Sequence, residues 1–365
     1  MSPTASPRLS PALQQTLWAL GFTTADAALP TAQLTAFVRH HGVAGLLDSQ
    51  RLAALDEASR QALTRERRQI ALRALQLGAS LKRLCDALQA QGLEPLALKG
   101  PALALQAHGN LAARGGVDLD IFIEEVHWPR ALQALKELGY QPAVGQSFPL
   151  ARGTHELVLQ HSQGQPRVEL HRRLLRHHSS LQGDYTSIDL LDTKVPCLTP
   201  ASALPYLVAH ANQHCFRRLI WLLDVHALLV HPKLDAQAAA EQFVSSGTCG
   251  SLDACLNLLT RLFDSPIPAE LQAVRRPCRA SSRLTALALQ AIEQSLSDDQ
   301  IATRQGLQRR VMLDLLLRDH WQLRWRALRD WLSPTATDHH WLQLPNSLRL
   351  LYPLVRLYRL VARSR

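Results

Sequence analysis

The sequence predicts an α+β protein, mainly helical, in which a small mixed sheet is flanked by N-terminal and C-terminal helical regions. Three observations predict it. Hydrophobic residues fill 47% of the 365 positions, most of them Leu and Ala, while aromatic residues reach only 5%. Leu and Ala lose little on entering a helix. Apolar residues also recur at three- and four-residue steps through most of the chain. Between about residues 93 and 198 that rhythm yields to short apolar runs punctuated by Gly and Pro, the pattern of strands and turns. The expected division is 1–92 helical, 93–198 α/β core, and 199–365 helical.

In chain order, Leu13, Leu17 and Leu20 suit one helix, and Leu34, Phe37 and Val38 a second. A third covers 52–88, with Arg, Glu and Gln between its apolar positions, and Gly92 stops it. Leu96-Ala97-Leu98 reads as a strand ending at Lys99-Gly100-Pro101. Proline suits the first helical turn, so a helix follows to about residue 107. Residues 110–116 read as loop and 117–123 as strand. A helix over 128–138 ends at Gly139. Two strands, 156–160 and 167–171, flank a turn at 162–165. Helices are then expected over 201–215, 217–230, 236–243, 252–263, 284–296 and 304–332. A last basic helix over 348–362 is kinked or restarted at Pro353.

The formal net charge is +10, carried mostly by Arg. Such a balance favours an anionic partner, although the basic residues are dispersed and also suit solvated helix faces. The six cysteines, at 85, 197, 215, 249, 255 and 278, form no C-x-x-C pair. They read as reduced thiols, not as a zinc site or disulfide framework. No apolar core of a signal peptide follows Arg8, and no apolar run reaches the roughly 18–20 residues that span a bilayer. The expectation is a cytoplasmic protein, peripheral to a membrane at most.

The chemistry centres on Asp118-Leu119-Asp120. Strand alternation points both carboxylates to one face, where they can chelate Mg²⁺ ions that also hold a triphosphate. The Gly100 turn opens a helix just upstream, and backbone N–H groups at such a turn bind phosphate. Lys99 and Arg114 are placed to contact the same anion. A third acid, Glu169, lies on a later strand, and three carboxylates from two strands suit two-metal phosphoryl transfer.

The pattern Leu98-Lys99-Gly100, Arg114, then Val117-Asp118-Leu119-Asp120-Ile121-Phe122-Ile123 and Leu138-Gly139-Tyr140 resembles the uncharacterised nucleotidyltransferase family of the DNA polymerase beta-like superfamily. Glu169-Leu170-His171 is similar to that family's later acid-Leu-His strand. His210, His214, Arg218, Trp221 and Asp224 resemble its helical part, and Trp341 to Pro345 with Leu350-Leu351-Tyr352 and Arg356 its close. The resemblance spans the chain from about residue 30 onward. It implies that Asp118 and Asp120 bind two Mg²⁺ (or Mn²⁺) ions, and that Glu169 completes the metal site and helps deprotonate an acceptor. Lys99, Gly100 and Arg114 would hold the triphosphate of an NTP such as ATP. An NMP group would pass to an unidentified acceptor: a small molecule, sugar, peptide or protein side chain. Two departures stand out. Pro101 follows Gly100 where the superfamily has Ser or Gly, and Glu169 replaces the usual Asp. They keep open the alternative of a degenerate nucleotide-binding or scaffold protein. A toxin-like transferase acting on tRNA would suit the net charge.

Other residues have paired readings. His210 and His214 share a helix face, but Ala211 stands where a zinc-protease helix carries Glu. With Arg218, they are expected to line an acceptor pocket or pack internally. Asp224 belongs to that pocket or pairs with an Arg in the core. His171 touches substrate, orients the acid, or is simply polar at a strand end. Trp321, Trp325 and Trp331 are expected in the core rather than stacking on nucleic acid. The last helix, with Arg349, Arg356, Arg359 and Arg363, is expected to dock with its arginines outward, the other reading being an anionic membrane surface. His40-His41 and His177-His178 read as surface or loop.

Overall fold

The computed structural model describes residues 9–24, 29–144, 148, 155–174, 183–334, 338 and 341–362. Four helices come first: α1 (Pro11–Ala19), α2 (Thr31–His41), α3 (Ser49–Ala53) and α4 (Glu57–Ala90). The apolar rhythm over 52–88 suggested one helix, and the structure breaks it before Glu57. Asp56 caps α4 by accepting the Ser59 N–H at 3.0 Å, a contact that typically stabilises a helix start by about 1 kcal/mol.

β1 (Leu96–Ala97) follows. Gly100 then adopts φ +65° and ψ −133°, a region that side chains with a Cβ avoid, and Pro101 opens α5 (Pro101–His108). After a loop come β2 (Asp118–Phe122), α6 (Trp128–Glu137), β3 (Tyr140–Pro142), β4 (Glu156–His161), β5 (Arg167–His171), β6 (Tyr185–Leu190) and β7 (Thr193–Leu198). They form one seven-stranded sheet in the order β3-β4-β5-β2-β1-β7-β6. The β2–β5 and β1–β7 pairs are parallel and the rest antiparallel, so the sheet is mixed, as predicted.

Three of these strands, β3, β6 and β7, carry no apolar alternation that the sequence reading recognised. β3 is short and exposes Gln141 and Pro142. β6 buries only Leu190 fully. β7 contains Pro196, a residue that argues against a central strand.

The C-terminal part is helical: α7 (Pro200–Gln213), α8 (Leu219–Leu229), α9 (Ala236–Ser246), α10 (Cys249–Phe263), α11 (Ala269–Val274), α12 (Arg279–Glu293), α13 (Asp298–Leu317), α14 (Trp321–Leu332) and α15 (Tyr352–Ala362). Pro353 falls in the first turn of α15, so the last helix restarts there. The expected helix over 304–332 is two helices. Gly306 leaves helical geometry inside α13, and Asp319 is drawn out of line after it. Its carboxylate accepts the Cys249 N–H at 2.9 Å and the Arg276 guanidinium at 2.6 Å.

Two cores hold the molecule. One lies under the sheet, where Leu81, Leu84 and Leu88 of α4 and Trp128 and Leu135 of α6 pack on Leu119, Ile121, Val168 and Leu170. Trp128 is fully buried and its indole donates to the Ile123 carbonyl at 2.8 Å. Burial of such a side chain contributes about 2–3 kcal/mol. The other core joins the two ends of the chain, with Leu13, Leu34 and Phe37 against Phe216, Leu219 and Phe243.

Several expectations are corrected. His41 is not a surface residue: it is fully buried on the inner face of α2. It accepts the Leu219 N–H at its Nδ1 and donates from Nε2 to the Ile292 carbonyl at 3.1 Å. Trp321 and Trp325 are not core residues but 70% and 62% exposed. Leu323 and Ala327 form the buried stripe of α14, and residues two positions away face outward. Trp331 is half-buried and donates to Asp314 at 2.9 Å. Arg356 and Arg359 point inward, where Asp338 pairs with both at 3.5 and 3.0 Å. Leu350, Leu354, Leu357 and Tyr358 are exposed instead. Residues 1–8, His177, His178 and Arg363 lie outside the described residues, as does the side chain of Arg349. Among the described residues, no helix is long and apolar enough to cross a membrane. All six cysteines are unpaired.

Candidate active site

Alternation along β2 sends Leu119 and Ile121 into the core, and Asp118 and Asp120 to the opposite face. The parallel register then pairs Asp118 with Arg167, Asp120 with Glu169, and Phe122 with His171. β4 adds Glu156 opposite His171. All of these side chains except Phe122 face a cavity of about 1040 Å³. Lys99, Gly100, Arg114, His171, His210, His214 and Arg218 line it too. Every predicted site residue except Asp224 therefore borders one space. That space is at the upper end of ordinary ligand pockets.

The two central acids have opposite electrostatics. Burial alone would raise the Asp120 carboxyl, but Lys99 Nζ lies 2.8 Å from its Oδ1 and His171 Nε2 3.2 Å away. Together they hold it well below the usual carboxylate range. Burial also acts on Glu169, and here the charges of Asp120, Glu156 and Asp118 add to it, pushing the carboxyl up to about 7. Arg167 is the cation nearest to Glu169: its Nη2 lies 3.3 Å from Glu169 and 3.2 Å from Asp118. The Lys99 ammonium also donates to His210 Nδ1 at 3.3 Å. Burial, reinforced by that ammonium, keeps His210 neutral.

Asp224 lies behind this layer, fully buried. It accepts Arg114 Nε at 2.8 Å and His108 Nε2 at 2.9 Å. Arg114 thus reaches the cavity wall from a fixed position, with its charge favoured by Asp224 despite burial. Beyond it, the Trp221 ring stands 5.5 Å from His210 and 5.3 Å from His214. Arg217 covers its face at 5.4 Å and makes two 2.8 Å bonds to Asp298. Asp298 also receives His214 Nδ1 at 3.1 Å.

Ligand atoms of Asp120, Glu169 and His171 lie within 4.8 Å of one another, a donor set able to hold a divalent ion. Asp118 is outside that group and turned to Arg167, on the same face. The buried Nδ1 of His171 has no hydrogen-bond partner among the described residues. Sequence reasoning missed Arg167, His155 and Glu156. Arg167 was detectable, since it precedes Glu169 by two on the same strand. Glu156 was not, because only the β4–β5 register places it.

Residues 29–264, well over half of the chain, match the family model described as an uncharacterised nucleotidyltransferase. Comparison with curated proteins finds no match. Among solved structures, an antigenic nucleotidyltransferase-like protein from Paracoccidioides brasiliensis is similar at 18% identity and a TM-score of 0.34, over 55% of this chain and 96% of that one. The carboxylate-bearing strands described above lie inside the matched span, and the chain belongs to the uncharacterised nucleotidyltransferase family.

Proposed function

We propose that this chain transfers an NMP group from an NTP to an acceptor in the cavity beside β2 and β5, with divalent ions at Asp118, Asp120 and Glu169. The observation that carries the reading is the register of β2 and β5, which sets Asp120 opposite Glu169 on the face that Asp118 shares. Oxygen donors of this kind suit Mg²⁺ or Mn²⁺, which when bound would neutralise phosphate charge and polarise the α-phosphorus.

The protein's own residues have distinct tasks. Lys99, Arg114 and the α5 N-terminus after Gly100 bind the triphosphate. Pro101 removes one N–H from that terminus but leaves those of Ala102 and Leu103. Glu169 takes the proton from an acceptor O–H or N–H. The acceptor atom then bonds to the α-phosphorus, the bond to the β-phosphate oxygen breaks, and pyrophosphate leaves. His171 orients Asp120, while His210, His214 and Arg218 shape the acceptor end. Asp224 supports Arg114.

ATP is the first NTP to test, and a cytoplasmic location agrees with six unpaired thiols. A tRNA acceptor would draw on the net charge of +10, and peripheral membrane contact on the exposed Leu354, Leu357 and Tyr358 of α15. The test is incubation with each α-labelled NTP and Mg²⁺ or Mn²⁺, alone and with extracts as the acceptor source. Label transfer and pyrophosphate release that vanish in Asp118→Asn/Asp120→Asn support the reading. Turnover unaffected by that double change would refute it.

A further inference from the structure

His155 and Glu156 have no part in the transfer chemistry above, yet both border the same cavity. They open β4, whose antiparallel register sets Glu156 opposite His171. Glu156 Oε2 lies 3.1 Å from His155 Nε2 and 3.8 Å from His171 Nε2. Ligand atoms of the three residues all lie within 4.8 Å of one another. Two donors bound at about 2.1 Å to a common ion stand about 3.0 Å apart at a right angle and about 3.4 Å apart at a tetrahedral one. The His155–Glu156 pair already meets those values, and the other pairs, all within 4.8 Å, would close toward them around an ion.

His171 supplies an independent observation. It is buried, and its Nε2 faces two carboxylates, Asp120 at 3.2 Å and Glu156 at 3.8 Å. A single N–H can serve only one acceptor well, and at 3.8 Å Glu156 lies beyond hydrogen-bond reach of His171. An ion shared with Glu156 and His155 gives this cluster a purpose that ordinary hydrogen bonding leaves unfilled.

We propose that His155, Glu156 and His171 form a binding site for one transition-metal dication, next to the Asp118–Asp120 edge and sharing His171 with the Asp120–Glu169 group. Two imidazoles and one carboxylate suit Zn²⁺ or Mn²⁺ and are poor ligands for Mg²⁺. Three protein donors leave further coordination positions open toward the cavity, where a hydroxyl, amine or carboxylate of an acceptor can bind. That last role rests on the transfer reading; the ion site does not.

The experiment is titration of the whole chain with MnCl₂ alone, without nucleotide, read by electron spin-echo for nitrogen coupling to the bound ion. The expected result is one Mn²⁺ coupled to two imidazole nitrogens, retained in excess Mg²⁺ and in Asp118→Asn/Asp120→Asn. His155→Ala and Glu156→Gln should each weaken it about tenfold or more, and His155→Ala should halve the nitrogen coupling. Both side chains are partly exposed, and thermal unfolding without metal checks that the variants fold. Absence of nitrogen coupling, its loss in excess Mg²⁺, or unchanged affinity in both variants overturns the proposal. With no nucleotide present, failure of the transfer reading leaves this readout untouched.

Discussion

Asp120 and Glu169 stand side by side on parallel strands, and one is held ionised while the other is driven toward neutrality. Asp120 carries the Lys99 ammonium at 2.8 Å. Glu169 faces the charges of Asp120, Glu156 and Asp118, and its carboxyl rises to about 7. The strand register thus sets side by side two carboxyls of opposite electrostatics, the arrangement on which the proposed division between a charge-holding group and a base rests.

Metal binding should depend on pH through Glu169. Below about 7 this carboxyl carries a proton that an entering ion must displace. Divalent-ion affinity should therefore rise as pH increases toward 7, by up to about tenfold per unit, and level off above it. Calorimetric titration of Mg²⁺, for which the His155–Glu156–His171 donors are poor ligands, checks it across this range. Glu169→Gln should bind more weakly and lose this slope. A flat profile in the unchanged protein contradicts the assignment.

Lys99 neutralises Asp120 in the absence of an ion. Lys99→Met should leave the buried Asp120 carboxylate with His171 alone as partner and destabilise the fold by about 3 kcal/mol. Divalent ions should then restore more stability to the variant than they add to the unchanged protein. Urea unfolding with and without Mn²⁺ measures both quantities. Equal stabilisation of the two proteins would mean that Lys99 and the ion do not serve the same charge.

Asp224 accepts from Arg114 and His108 with no solvent access. Asp224→Asn should cost about 3–5 kcal/mol by stranding Arg114 and His108. In chemical denaturation the midpoint should fall with little change in slope. A loss below about 1 kcal/mol, the level of an exposed ion pair, would place the Arg114 network nearer the surface than its burial shows.

His41 should make the protein acid-sensitive. Burial pushes its ring down to about 3, while the unfolded chain has the ordinary value near 6.5. Its contribution to stability is therefore complete above 6.5. As pH falls from 6.5 toward 3, the unfolded state takes up a proton that the folded state refuses, costing about 1.4 kcal/mol per unit. His41→Asn should reduce the slope of stability measured across that window, His210 retaining its own share. The same slope in variant and parent would remove His41 as its source.

The sequence showed the parts of this site that are local. Asp118 and Asp120 share a strand, so alternation alone predicts their common face. Gly100 and Pro101 announce the turn and the helix start. Glu169 followed from the same rule on a second strand. What was hidden depends on pairing between distant segments. Glu156 reaches the site only through the β4–β5 register, and β7 is a strand despite Pro196. The exposure of Trp325 and the burial of Arg356 also resisted the sequence. Apolar character normally marks the inner face of a helix, but in α14 the stripe of Leu323 and Ala327 took that place, and Asp338 drew the arginines of α15 inward.

The central claim is that Asp118, Asp120 and Glu169 bind a metal–nucleotide complex. Equilibrium dialysis of α-labelled NTPs against the whole chain, with Mg²⁺, with Mn²⁺ and with chelator, tests it without knowledge of the acceptor. The predicted result is binding that needs the divalent ion and is lost in Asp118→Asn/Asp120→Asn. No nucleotide binding under any metal condition, or equal binding by the double variant, would contradict the account.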